Sequence, residues 1–459
     1  MTHKFNRTIL REYDIRGIVG DTLTEADAYA LGRTYAALAT DEGAKRIAVG
    51  RDGRTHSGML EAALIRGLTE SGIDVMQIGM GPSPMLYFAT HYLDVDGGIQ
   101  VTGSHNPANY NGFKLLLKGR SVFGEEIQGI GRRSAAGDWK DGRGSVEEVD
   151  IREAYANRLL EGFSGKPFRI GWDAGNGAAG PILDMLVERL PGQNYTIFTK
   201  VDGTFPNHHP DPTVEKNLAH LKQLVADKGL DFGIAFDGDG DRIGAVDGEG
   251  RVIWGDQLLS ILAEPVLKEQ PGATIIADVK ASQVLFDRVA ELGGQPLMWK
   301  TGHSLIKSKM KETGAPLAGE MSGHVFFKHR WYGFDDALYA AIRLIEAVSQ
   351  SGKSLTEIMD SMPKTTATPE MRFQVDESRK FAIVEEVRDR LAADGSKVDA
   401  TDGVRVSTDD GWWLLRASNT QDVLVARAEA ADQAGVERLV AQIDDQLAKS
   451  GVTRTETAH

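Results

Sequence analysis

Short apolar runs followed by stretches of helical periodicity recur along the chain. Residues 46–52, Arg-Ile-Ala-Val-Gly-Arg-Asp, read as a strand, and the apolar spacing over 58–70 predicts an amphipathic helix behind it. A helix is also expected over 25–38. Residues 74–78 supply another strand, 84–92 another helix, and 98–102 a strand that leads into Gly103-Ser-His-Asn-Pro107. Proline lacks an N–H, and glycine and asparagine tolerate turn geometry, so the strand cannot continue there. Strands alternating with helices of this length imply βαβ units and a largely parallel sheet.

The pattern then returns. Phe168-Arg-Ile-Gly-Trp-Asp173 and Thr274-Ile-Ile-Ala-Asp278, each followed by small and polar residues, resemble the strand at 46–52. Each copy has a second strand running into a polar loop: 99–106, 232–242 and 316–324. Open α/β sheets bind ligands at the carboxyl ends of their strands, so three loops are expected to face ligand. The tail differs. Residues 403–408 and 411–416 alternate as strands around Asp409-Asp410-Gly411, residues 422–428 add a third, and helices are expected over 380–393 and 435–449. The expected class is α/β: three similar α/β domains with mixed, largely parallel sheets and a C-terminal α+β domain. The boundaries put these at residues 1–150, 151–255, 256–368 and 369–459.

Composition narrows the class. The 459 residues are 41% hydrophobic and 26% charged, an ordinary globular composition. The formal net charge of −14 argues against nucleic acid as a partner, although a cleft of locally positive field would still take a small phosphorylated ligand. With no cysteine, disulfides and thiolate metal sites are excluded, and a reducing cytoplasm is the expected setting. No apolar run is long enough to span a bilayer, and the first residues lack the apolar region of a secretion signal, so no membrane partner is expected.

Asp237-Gly-Asp-Gly-Asp-Arg242 carries the clearest chemistry. Three carboxylates at i, i+2 and i+4, separated by glycines after an apolar strand, can converge on one hard cation. A calcium loop of the EF-hand type would need glycine at its sixth position and glutamate at its twelfth. Arg242 and Gly248 stand there instead. Mg²⁺ binds through a few carboxylates together with a phosphate oxygen, so the triplet calls for a phosphate. Ser104, displayed on a sharp turn, can carry it. The G-x-S-x-G elbow of a hydrolase is absent, His105 as a sequence neighbour is not expected to face the same hydroxyl, and no Walker A motif supports an ATP-driven kinase.

Glu320-Met-Ser-Gly-His324 places a carboxylate and a hydroxyl two residues apart, which suits two neighbouring sugar hydroxyls. Arg416-Ala-Ser-Asn-Thr420 gathers a guanidinium, two hydroxyls and an amide, donors that suit a phosphate. Lys300-Thr-Gly-His303 contributes a further histidine. Leu10-Arg-Glu-Tyr-Asp-Ile-Arg-Gly17 reads as a loop carrying Tyr13 and Arg16, and Phe205-Pro-Asn-His-His-Pro-Asp-Pro212 as a structural loop without zinc spacing.

These motifs, in this order over essentially the full length, resemble the α-D-phosphohexomutase superfamily, and within it the bacterial bifunctional phosphomannomutase/phosphoglucomutases. Phosphoglucosamine mutases usually carry Ala-Ser-His-Asn-Pro and Glu-Gln-Ser-Gly-His, where this chain has Gly103 and Met321. The resemblance implies four domains around a central cleft, with a phosphoryl group on Ser104. It implies Mg²⁺ on Asp237, Asp239, Asp241 and a phosphoserine oxygen. The activity implied is reversible phosphoryl transfer between C1 and C6 of glucose and mannose phosphates, through a hexose 1,6-bisphosphate intermediate that also serves as activator.

By the same resemblance, Arg242 and Lys114 stabilise the phosphoryl oxygens, and Lys114, His303, and Arg16 with Tyr13 are candidates for accepting the sugar proton. Glu320 and Ser322 hold O3 and O4. Arg416, Ser418, Asn419 and Thr420 clamp the phosphate that is not transferred, and His324 and Lys280 line the sugar site. A monomer is expected. Gln421-Asp422 departs from the Thr-Pro that usually continues the phosphate loop. Phosphoglucosamine mutase is the alternative within the family; a phosphosugar phosphatase and a non-catalytic phosphosugar-binding protein are the alternatives outside it.

Overall fold

The computed structural model describes residues 2–419 and 421–454. It contains four sheets, and three of them repeat one arrangement. In the first, Asp74–Met80, Arg46–Arg51 and Gly97–Val101 lie parallel, and Tyr110–Leu117 turns back antiparallel onto Gly97–Val101. The second repeats this with Gly192–Ile197, Phe168–Asp173, Phe232–Phe236 and the returning Ile243–Asp247. The third does so with Gln295–Trp299, Thr274–Asp278, Leu317–Gly319 and Val325–Phe327. Each sheet therefore places one tight β–β turn at the carboxyl end of its third parallel strand. Those turns carry Ser104, Asp237–Asp241 and Glu320–His324. The fourth sheet is antiparallel, and its turn between Gly411–Ala417 and Val423–Ala430 carries Ser418 and Asn419. The fold class is the α/β one that the pattern predicts.

The helices follow local chemistry. Glu25–Asp41 begins at Thr24, whose hydroxyl accepts from the Asp27 N–H while the Asp27 carboxylate accepts from the Thr24 N–H. This reciprocal cap satisfies two backbone donors that a helix start otherwise leaves unpaired. Asp432 caps Gln433–Lys449 in the same sense by accepting from the Gly435 N–H. The helix Ser83–Tyr92 belongs in sequence to the first sheet. Its Met85, Leu86, Tyr87 and Phe88 nevertheless join the apolar cluster that fills the second and third sheets' layers. Full burial stabilises each such side chain by about 1.5–3 kcal/mol, so this helix pins the first sheet against the next two.

The segment read as an N-terminal loop differs. Ile15–Ile18 forms an edge strand, antiparallel to Tyr110–Leu117, with Arg16 opposite Gly112. Four residues are too few to display alternation, and their hydrogen-bond partners come from a strand nearly a hundred positions away. Among the described residues no helix is long and apolar enough to cross a membrane.

Candidate active site

Ser104 sits at φ +51°, a left-handed conformation uncommon for a residue with a side chain, and it is almost fully buried. The turn is held open by two residues at the end of the neighbouring strand. Asp52 accepts from Thr102 Oγ1 at 2.8 Å and from the Gly103 N–H at 3.1 Å. The Arg54 guanidinium donates to the carbonyls of Ser104, Asn106, Pro107 and Tyr110 at 2.6 to 3.1 Å. Four carbonyls of a sharp turn are thus tied together by one side chain. Phe205 lies over that guanidinium, 5.0 Å from ring centroid to Cζ.

The Ser104 hydroxyl faces Asp237 Oδ2 at 3.4 Å and His105 Nδ1 at 3.1 Å. The second contact corrects the expectation that His105 points away: the left-handed turn folds the backbone so that neighbouring side chains meet. Burial, with Arg242 and Arg16 nearby, drives the His105 pKa well below the usual histidine range, so the ring is neutral.

Asp237, Asp239 and Asp241 are wholly buried, with carboxylate oxygens within 4.8 Å of one another. Gly238 permits the loop to touch the serine turn, since a Cβ there would lie 2.5 Å from the Ser104 carbonyl oxygen. Asp237 Oδ1 accepts from the Asp241 and Arg242 N–H groups, both at 3.1 Å. Lys114 Nζ donates to Asp239 Oδ2 at 2.6 Å and also to Asp241, and Ser83 donates to Asp239. Burial and the two neighbouring carboxylates push Asp237 upward. Burial would do the same to Asp241, but Lys114 and His324 outweigh it and hold Asp241 low. The Lys114 ammonium is likewise held charged by Asp239 and Asp241 against its burial. Asp239 Oδ1 is buried without any hydrogen bond. An unpaired buried carboxylate oxygen costs free energy that a cation recovers, so the donor set fits a hard divalent metal.

The second and third sheets are joined here, for the Ile243 N–H donates to the Gly323 carbonyl at 3.0 Å. His324 bridges them, with Nε2 at 3.3 Å from Asp241 Oδ1 and Nδ1 at 3.1 Å from Glu320 Oε2. Burial opposes its charge, but Asp241 and Glu320 prevail and raise its pKa to about 9. Glu320 Oε1 accepts from the Gly302 N–H at 2.6 Å, and the Ser322 hydroxyl lies 2.8 Å from His324 Nδ1. His303 is neutral, its pKa driven well below the usual value by burial and then by Lys307, Lys114 and His324. Its Nδ1 makes no hydrogen bond.

Against the same Thr301–Gly302 segment, Arg416 Nε donates to Asp402 Oδ2 at 2.9 Å, Asp402 Oδ2 accepts from the Thr301 N–H at 3.0 Å, and Asn419 Nδ2 reaches Tyr13 Oη at 2.6 Å. Tyr13 in turn donates to the Thr301 carbonyl, and burial pushes its phenol well up. Arg16 donates to Asn106 Oδ1 at 2.6 Å and pairs with Asp14. Lys280 lies 3.3 Å from Glu370 Oε2. The Ser418 N–H donates to the Val423 carbonyl, which shapes the last turn. Thr420 lies outside the described residues.

All the remaining candidates outside the aspartate triplet line one cleft of about 1020 Å³. The triplet lies beneath its floor, covered by Lys114. The sequence reading missed Asp52 and Arg54, which shape the serine turn, and Ser83 and Asp402, which hold Asp239 and Arg416. A signal existed for the first: Asp52, Asp173 and Asp278 end or follow the same strand of the repeat, and all are buried.

Three α/β sheets and one antiparallel sheet, each contributing one turn to a shared cleft, are the architecture of a four-domain sugar-phosphate enzyme. Family profiles for phosphoglucomutase/phosphomannomutase match the chain in series: α/β/α domain I over residues 7–141, domain II over 151–250, domain III over 254–366 and the C-terminal domain over 370–446. The chain belongs to the phosphoglucomutase/phosphomannomutase family, within the α-D-phosphohexomutase superfamily. It is 46% identical to a phosphomannomutase/phosphoglucomutase of Pseudomonas aeruginosa over 442 residues, 96% of this chain and 95% of that protein. It is also 46% identical over 442 residues to a phosphoglucomutase of Neisseria gonorrhoeae, covering 94% and 95%. The crystal structure of a phosphoglucomutase/phosphomannomutase family protein from Burkholderia thailandensis superposes with a TM-score of 0.93 at 41% identity, over 98% of this chain and 99% of that one.

Proposed function

We propose that this chain is a hexose phosphate mutase that moves a phosphoryl group between C1 and C6 of glucose and mannose phosphates, with Ser104 as the carrier. The observation that supports it most is the meeting of three separate turns: the Ser104 hydroxyl lies 3.4 Å from Asp237, and the same aspartate cluster reaches His324 and, through that ring, Glu320.

In this reading Ser104 starts each cycle as a phosphoserine, charged initially by a hexose 1,6-bisphosphate. Its Oγ–P bond breaks as the free hydroxyl oxygen of a bound hexose monophosphate bonds to phosphorus. The bisphosphate then turns over, and its other phosphoryl returns to Ser104 Oγ, so no phosphate is released. Asp237, Asp239 and Asp241 would hold Mg²⁺, which when bound offsets negative charge on the phosphoryl oxygens. Arg242 faces the same oxygens from the cleft. Its Nε is buried without a hydrogen bond, and Asp211 and the aspartates keep it charged against burial.

The proton of the attacking hydroxyl needs an acceptor. Lys114 is charged and pinned, the Tyr13 phenol is pushed up, and a guanidinium such as Arg16 does not deprotonate. His303 is neutral with an unbonded Nδ1, so it is the proton acceptor in this reading, and it returns that proton on the reverse transfer. Glu320 and Ser322 exchange their present partners for the O3 and O4 hydroxyls, with His324 and Lys280 beside them. Glucose and mannose share those hydroxyls, which accounts for acceptance of both. Arg416, Ser418, Asn419 and Thr420 hold the other phosphate. The reading extends to a monomer in a reducing cytoplasm, for which a cysteine-free chain is suited and sedimentation velocity is the first check.

The deciding experiment supplies glucose 1-phosphate or mannose 1-phosphate with a trace of bisphosphate and follows both products. Formation of the 6-phosphate without inorganic phosphate is expected. Stoichiometric phosphate release would replace the mutase by a phosphatase, and faster turnover of glucosamine 1-phosphate would move the substrate to the amino sugar.

A further inference from the structure

The groups described so far meet phosphate and hydroxyl, yet a pyranose ring also presents C–H faces. Six large hydrophobic side chains are exposed among the described residues, and two of them, Val214 and Trp254, line the cleft. Trp254 leaves 37% of its surface open, and none of the aromatic-pair or cation–π contacts among the described residues involves its ring. An indole left open on a cleft wall presents a flat apolar face against which an apolar part of a ligand can pack.

Its placement is specific. Trp254 directly precedes the helix Gly255–Glu269, and its backbone N–H donates to Gln257 Oε1 at 3.0 Å. The next residue is packed against the Glu320 turn: a Cβ on Gly255 would stand 2.5 Å from the Glu320 carbonyl oxygen and 3.1 Å from that of Met321. Lacking that atom, the helix start seats directly on the turn, and the indole is carried one residue away from it. The Glu320 and Ser322 side chains line the same cleft.

We infer that Trp254 is a stacking platform for the C–H face of the hexose ring, set beside the turn that takes the ring's hydroxyls. This rests on the hexose-phosphate reading of the cleft and adds to it a residue outside every motif. The mutase cycle requires the sugar to sit in two orientations, with C1 or with C6 toward Ser104. Hydrogen bonds are directional and favour one orientation, whereas an indole face makes contact over its whole area and serves both.

Labelling with 5-fluorotryptophan gives one ¹⁹F signal per tryptophan, and the Trp254 signal is identified by its loss in Trp254→Phe. Glucose 1-phosphate is expected to shift that signal and inorganic phosphate to leave it in place. In kinetics, Trp254→Ala is expected to raise KM for glucose 1-phosphate about three- to tenfold with kcat changed less than about twofold, and Trp254→Phe to recover most of the loss. A signal that responds equally to inorganic phosphate, or an unchanged KM in Trp254→Ala, would overturn the platform while leaving the mutase reading intact. Absence of mutase activity in the unaltered protein would instead remove the parent reading, and the ¹⁹F titration still judges the platform by whether the sugar phosphate touches it.

Discussion

Lys114 and Asp239, 125 positions apart in the chain, meet through a 2.6 Å Nζ–Oδ2 contact beneath the floor of the cleft. One ammonium, shared with Asp241, offsets part of the charge of three buried carboxylates. The contact also joins the returning strand of the first sheet to the turn of the second, so the same pair serves stability and the candidate metal centre.

Removing metal should therefore silence the enzyme without unfolding it. EDTA is expected to abolish turnover and Mg²⁺ to restore it, while circular dichroism stays unchanged because Lys114 still compensates the aspartates. Full activity after chelation would take the metal role from the triplet. Asp241→Asn should weaken Mg²⁺ binding in calorimetry by removing one charged ligand.

Ser104→Ala should lower mutase activity by at least about 10³-fold while the protein stays folded, because the carrier atom is gone and Arg54 holds the turn through backbone carbonyls. Intact mass should show a species one phosphate heavier in the unaltered protein and none in the variant. A phosphate retained in Ser104→Ala would place the carrier elsewhere.

Asp52→Asn replaces one acceptor oxygen by an NH₂ group in a site where Thr102, Gly103, Arg54 and Ser57 all donate. Leaving buried donors unpaired costs about 1–3 kcal/mol. The urea midpoint should fall accordingly, and amide exchange should quicken in residues 102–106 first. Unaltered exchange there would show that Arg54 alone suffices.

Arg416→Lys keeps the charge but loses the planar fork. KM for glucose 1-phosphate should rise by about tenfold or more with a smaller change in kcat, since the contact exists before and during transfer. An unchanged KM would detach Arg416 from phosphate binding.

Asp336 is buried, accepting from Tyr155 Oη at 2.8 Å and from the Tyr339 N–H, and burial raises its pKa to about 7. A carboxyl whose folded pKa lies above its unfolded value disfavours folding once it must ionise. Its contribution is neutral at pH below about 4 and becomes progressively destabilising as pH rises toward about 7. Asp336→Asn keeps one acceptor oxygen for the Tyr339 N–H, turns its NH₂ toward the Tyr155 hydroxyl, which can accept it, and cannot ionise. Its stability should fall less between pH 4 and 7 than that of the unaltered protein, as urea midpoints across that range will report. Parallel pH profiles would assign the titration to another group.

The sequence by itself determined the repeating strand–helix units, the antiparallel tail and the four polar turns, because alternation, glycine spacing and proline act locally. The aspartate triplet and the Ser104 turn were legible for the same reason: their chemistry lies within six consecutive residues. Only the tertiary structure decided which groups meet. The edge strand Ile15–Ile18, the Arg54 clamp, the cover that Lys114 places over the aspartates and the seat of Trp254 beside the Glu320 turn all depend on partners tens to hundreds of positions away. The charge states follow from the same contacts. Whether a histidine is neutral, as His303 is, or charged, as His324 is, depends on burial and on carboxylates brought near by packing, and neither is written in the local run of residues.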